Sequence, residues 1–106
     1  MRNIEIPVRP ETVYSPKDRI EPNSLVILYT KEGNSSFSIA SLNWKSEGWN
    51  EYKQRIAIRW NSETGIGQPQ SCGYPTWFIL PTEIALSYAK EINNIEMITV
   101  INRVKE

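Results

Sequence analysis

The residues that move protons and hold metals are scarce in this chain. Its 106 residues include no histidine, one cysteine (Cys72) and one aspartate (Asp18). Without imidazole there is no Ser-His-Asp or Cys-His arrangement. Histidine-bearing zinc sites are also excluded, and one cysteine makes neither a thiolate cluster nor an intrachain disulfide. Glu47 and Glu51 are four residues apart beside Gly48, a spacing as ordinary in a solvated turn as in a carboxylate pair. Cys72 lies between Ser71 and Gly73, with no neighbouring cation in sequence to lower a thiol pKa. Gly65-Ile66-Gly67 is followed by neither the Lys-Ser/Thr of a phosphate loop nor a helix. These counts predict a protein that is not an enzyme and that uses no metal and no cofactor.

Two stretches have the chemistry of binding instead. The first is 61–75, a connection of about fifteen residues between two strand-like runs, where hairpins usually need two to five. Asn61, Ser62, Thr64, Gln68, Gln70 and Ser71, with Tyr74 near the end, give it neutral hydrogen-bonding groups. Such a loop suits a protein partner or a neutral ligand; otherwise Pro69 and Pro75 pin it as a packed cover on the sheet. The second is 44–60, WKSEGWNEYKQRIAIRW, where Trp44, Trp49, Tyr52 and Trp60 interleave with Lys45, Lys53, Arg55 and Arg59. Aromatic faces among cations are what single-stranded nucleic acid binding uses. The bland alternative makes Trp44 and Trp60 core and the arginines a solvated face. The candidate binding residues are therefore Trp49, Tyr52, Lys53, Arg55, Arg59, Gln68, Gln70 and Tyr74.

These residues need elements to position them. Gln54–Trp60 alternates cleanly, which predicts a strand with Ile56, Ile58 and Trp60 buried and Arg55, Ala57 and Arg59 facing water. Ser24–Thr30 (SLVILYT) is a continuous apolar run, the pattern of a strand buried on both faces. Lys31–Asn34 reads as a turn. In Ser36–Trp44 the apolar parity changes from Phe37 and Ile39 to Ala40, Leu42 and Trp44, which predicts a bulge near Ala40-Ser41. Thr76–Leu80 is a strand closed by Pro81. Thr82 is the expected N-cap of a helix over about residues 82–93, with Glu83 on its first turn. Ile84, Tyr88 and Ile92 form its apolar stripe, and Asn93-Asn94 ends it. Glu96–Ile101 (EMITVI) reads as a last strand.

The N-terminal residues 1–23 carry Pro7, Pro10, Pro16 and Pro22. They read as an extended arm on the domain, with a short strand at Ile4–Val8, or as a loose tail. The expected fold is a single α+β domain over 1–106: an antiparallel sheet of about five to six strands, one helix on one face, then a last strand.

Twelve basic residues balance twelve acidic ones, so broad electrostatic capture of duplex nucleic acid or of an anionic membrane is not expected. No apolar run reaches transmembrane or signal-peptide length, and cysteine usage suits a reducing compartment. The expected location is the cytoplasm.

The string RIAIRWN followed by G-x-PQS-x-GYPTWF-x-LP, over 55–81, resembles a small bacterial family of uncharacterised proteins, some from mobile or accessory DNA. That resemblance brings no catalytic residues with it. The order RIAIRW, loop, TWFILP and TEIALSYAKEI is also similar, in architecture, to the positive cofactor four family of single-stranded DNA-binding coactivators. This loop lacks the lysines such a binder presents, the chain is not basic, and a strand is expected after the helix, so the likeness implies architecture rather than function. The sequence points to a non-enzymatic binding module. Its partner is a protein or a second copy in a homodimer, with single-stranded nucleic acid as the alternative.

Overall fold

The structure, a computed structural model, describes residues 8–62 and 65–104. The strand expected at Ile4–Val8 lies outside these residues except for Val8.

Two long strands form the centre of the fold. β2 (Phe37–Trp44) and β3 (Lys53–Trp60) pair antiparallel without interruption, from Phe37 opposite Trp60 to Trp44 opposite Lys53. β1 (Val26–Lys31) flanks β2, and β6 (Phe78–Leu80) flanks β3, giving the order β1-β2-β3-β6. A separate two-stranded sheet, β4 (Gln70–Ser71) with β5 (Tyr74–Pro75), fills the long connection. Helices α1 (Thr82–Glu91) and α2 (Ile95–Asn102) follow. The protein is an α+β domain with an antiparallel sheet.

The sheet is covered on both faces, and this explains the parity change in β2. Phe37 and Ile39 join Ile56, Ala85, Ala89, Met97 and Ile101 under the helices. Ala40, Leu42 and Trp44 turn to the other face, where Val13, Ile20, Ala57 and Trp77 pack. The apolar residues change parity along β2 because a different layer covers each end of it. No bulge interrupts β2; the register shift lies at the same level in β1, between Ile27 and Tyr29. The extra residue there sends Ile27 to one layer and Tyr29 to the other.

The layer opposite the helices is the proline-rich arm. Residues Pro10–Thr12 form one 3₁₀ turn. Ser15 then bridges Thr76, and Ile20 bridges Trp44. Val13 and Ile20 are buried, and the Trp77 indole N–H donates to the Val13 carbonyl at 2.8 Å.

The last element is a correction. EMITVI is helical rather than a strand, because its β propensity is outweighed by capping and packing. Asn93 takes a left-handed conformation, φ +56°. The Asn93 and Asn94 N–H groups bond back to the Lys90 and Ala89 carbonyls, closing α1 in a Schellman turn. The Asn94 side chain then accepts the Met97 N–H at 3.0 Å and starts α2. Met97, Ile98, Ile101 and Val104 make an apolar stripe of helical period against the sheet and α1. The N-cap of α1 is also corrected: Pro81 holds that position with no side-chain bond, and Thr82 is the first helical residue.

Candidate functional site

The 61–75 connection is built around Arg59. The residue expected on a wet face is 2% exposed. The arm and the connection cover its side of β3, so the clean alternation of QRIAIRW describes a strand buried on both faces. Its guanidinium donates to the carbonyls of Ile66 and Thr76 and stands 5.9 Å from the Trp77 ring. Burial lowers its pKa from the ordinary arginine value. One arginine therefore ties the start and the end of the connection to β3. Gly67 makes this possible. Its φ is +72°, and an added Cβ would collide with the Trp60 carbonyl and stand 2.6 Å from Arg59 Nη2. Gln68 exchanges both backbone hydrogen bonds with Trp60, at 2.6 and 3.0 Å. The β4–β5 hairpin closes through Cys72 and Gly73, whose φ values of +51° and +82° suit a tight two-residue turn.

On the helix side the cover stops short. An α-helix rises ~1.5 Å per residue and a strand ~3.3 Å. The ten residues of α1 and eight of α2 cannot span two eight-residue strands. They cover the end holding Ile39, Ile56 and Leu80. The other end is left as a groove of about 380 Å³ lined by Phe37, Ile58, Trp60, Gln68, Pro69 and Phe78, with Arg59 beneath. Trp60 is 53% exposed and Phe78 61%. The aromatic wall is held in place. Phe37 meets Trp60 edge-to-face with centroids 6.0 Å apart, and Tyr88 of α1 at 5.7 Å. Among the described residues no exposed charged side chain lines the groove.

A second cluster stands at the β2–β3 turn. Lys53 lies over the Trp49 ring at 4.8 Å and Arg55 over the same ring at 5.3 Å; Lys45 lies over Tyr52 at 5.0 Å. Among the described residues no salt bridge joins Lys45 or Lys53 to Glu47 or Glu51. A wider cleft of about 690 Å³ runs between the arm and the β1–β2 turn, past Asn34, Ser35, Ser36 and Asn61. Its walls mix these polar turn residues with Val8, Arg9, Pro10 and Glu11 of the arm, and no aromatic side chain lines it among the described residues.

Of the eight residues singled out by sequence, Trp49, Tyr52, Lys53 and Arg55 come together at this turn. Gln68 lines the groove. Gln70 and Tyr74 are exposed on the β4–β5 hairpin. Arg59 is withdrawn from solvent. The groove residues Phe37, Ile58, Trp60, Pro69 and Phe78 were not predicted, since Ile58 and Trp60 read as core. The available signal was one of length: one short helix is too small to cover the strands beneath it. Cys72 is exposed and free. Among the described residues there is no group of three or more potential metal ligands, and no helix is long and apolar enough to cross a membrane. Compared with protein-family models, curated proteins and solved structures, the chain matches none.

Proposed function

We propose that the protein is a non-enzymatic binding module of the cytoplasm, and that an extended apolar segment of a protein partner docks in the Trp60–Phe78 groove. One observation carries this reading: two large aromatic side chains, each more than half exposed, flank an uncharged groove beside a sheet edge. β6 is the last strand of its sheet, so its outer backbone groups can take a further strand while the groove takes that strand's side chains. Buried aromatic anchors of this kind dominate protein interfaces. The fixed Phe37–Trp60 wall reduces the ordering cost of binding. The lack of histidine and the single aspartate favour recognition over catalysis.

A photo-crosslinking amino acid at position 78, introduced in cells, tests the reading. One discrete adduct is expected, absent when the probe replaces the exposed Tyr14. Trp60→Ala should lower its yield at least tenfold, as removal of an interface anchor worth about 2 kcal/mol does. Equal labelling from both positions would overturn the groove assignment.

The turn cluster favours a second reading, single-stranded nucleic acid binding. The Trp49 and Tyr52 rings stand beneath Lys53 and Lys45, which no described carboxylate pairs in a salt bridge, so a base could stack while the lysines meet phosphate. Tryptophan fluorescence during titration with a mixed-sequence single-stranded oligonucleotide should show quenching that weakens with salt. Lys53→Glu with Arg55→Glu should abolish it. Arg59 is unsuitable for that test because it is buried. An unchanged signal at low salt would remove this reading.

A further inference from the structure

The two edges of the sheet are built differently. β1 is protected against strand addition: the register shift after Ile27 disturbs its ladder, and it ends in Thr30 and Lys31. Bulges and lysines are common means of blunting an edge. β6 is short, but Phe78-Ile79-Leu80 has no charge, no proline and no bulge. Among the described residues no strand covers its outer side; the arm pairs along this edge at Thr76, through the Ser15 bridge, and otherwise packs on the face, where the Val13 carbonyl accepts from the Trp77 indole. The exposed aromatic groove lies on the same strand.

We infer that the occupant of this edge is a second copy of the chain, joined β6 to β6 about a two-fold axis. The inference rests on the reading of the groove as a protein-binding surface. Two observations favour a second copy. First, the formal charge is zero, so copies approach without net repulsion, and proteins near zero charge associate readily. Second, the edge is self-complementary in one register. Opposed residues in antiparallel strands share a face, so a two-fold axis must pass through a residue pair rather than between residues. Centring on Phe78 would draw in Thr76, already bridged to Ser15. Centring on Leu80 would oppose Ile79 to Pro81, which has no N–H to give. Centring on Ile79 opposes Ile79 to itself and Phe78 to Leu80 of the partner subunit, using all three residues of the strand. As in any such two-fold pairing, like faces stay together. Both helix layers lie on one side of an eight-stranded sheet, and the two grooves meet across the axis with each Phe78 covered.

The register gives a sharp test. In a Cys72→Ser background, Ile79→Cys should form an intermolecular disulfide on mild oxidation, because residues directly opposite lie within disulfide reach. Phe78→Cys, offset from its own copy, should do so at least tenfold less. Circular dichroism would check that both variants fold. Independently, light scattering of the unmodified chain should rise from 12.3 kDa towards twice that mass between about 1 µM and about 1 mM, the range for a small interface. Phe78→Lys should hold the mass at the monomer value. A monomer throughout, with no preference for the position-79 disulfide, would overturn self-pairing. If position 78 still crosslinks a different protein, the groove keeps its function and only the self-pairing falls. If neither appears, both fall.

Discussion

Arg59→Met is expected to lower the stability of the protein by about 3–5 kcal/mol, read as a fall in the urea midpoint. Methionine fills most of the space, so the cavity left behind is small. The loss comes from the two carbonyls. The Ile66 and Thr76 oxygens each accept from a charged donor, and such a bond contributes about 1.5–3 kcal/mol. With Arg59 gone, both acceptors lose their partner, the Thr76 oxygen at a buried site where water does not readily replace it and the Ile66 oxygen at a part-buried one. A domain of this length holds about 5–15 kcal/mol in total, so the variant should be near the limit of folding at 37 °C. Arg59→Lys should recover less than half of the loss, because a single ammonium does not reproduce the fork that spans two acceptors. Hydrogen exchange should speed up first at Gln68 and Thr76, whose N–H groups bond within the stitched connection. The groove should suffer as well, since Gln68 and Pro69 form one of its walls. A loss below about 1 kcal/mol would mean that the guanidinium and its two carbonyls contribute little net energy.

Arg59 also shows where the sequence stopped being legible. Its alternation with Ile58 and Trp60 is the pattern of a half-exposed strand, and pattern alone cannot show that an arm and a loop fold over the polar side. The strands β2 and β3 were readable because each carries its apolar residues at period two, and α1 because Ile84, Tyr88 and Ile92 repeat at helical spacing with Pro81 ahead of them, although the face it buries is centred on Ala85 and Ala89 and leaves Ile84 exposed. The parity change in β2 was visible, but its cause, two different covering layers, is tertiary. EMITVI misled because branched residues favour a strand, while the deciding feature is the Asn94 cap, which sat in a pair of asparagines read only as a stop. The turn cluster was legible because a hairpin brings its residues together locally. The groove was not: its lining runs from Phe37 to Phe78, and it exists because two short helices leave part of a longer sheet uncovered.

Trp77→Ala is expected to cost a further comparable amount, about 3–5 kcal/mol for a buried aromatic, and it should act on the other face of the sheet. Trp77 is 4% exposed and packs with Val13, Ile20, Ala40, Leu42 and Ala57. Its indole N–H holds the Val13 carbonyl across 64 residues of chain. Among the described residues the arm's other anchor near Trp77 is the Ser15 bridge; its remaining bonds lie further off, at Val8 to Gly65 and at Arg19, Ile20 and Glu21 to residues 43–45 at the end of β2. Removing the indole should therefore free the arm at lower denaturant than the sheet, seen as early tryptic cleavage after Lys17. Trp77→Phe separates the two contributions. It keeps most of the apolar contact and loses the hydrogen bond, for a cost of about 1–2 kcal/mol. Because the arm and the groove lie on opposite faces, Trp77→Phe should leave crosslinking from position 78 unchanged while arm cleavage accelerates. If crosslinking falls in step with arm protection, the two faces are coupled, and the connection between them runs through Arg59, which stands over Trp77 and also ties down the groove's own loop.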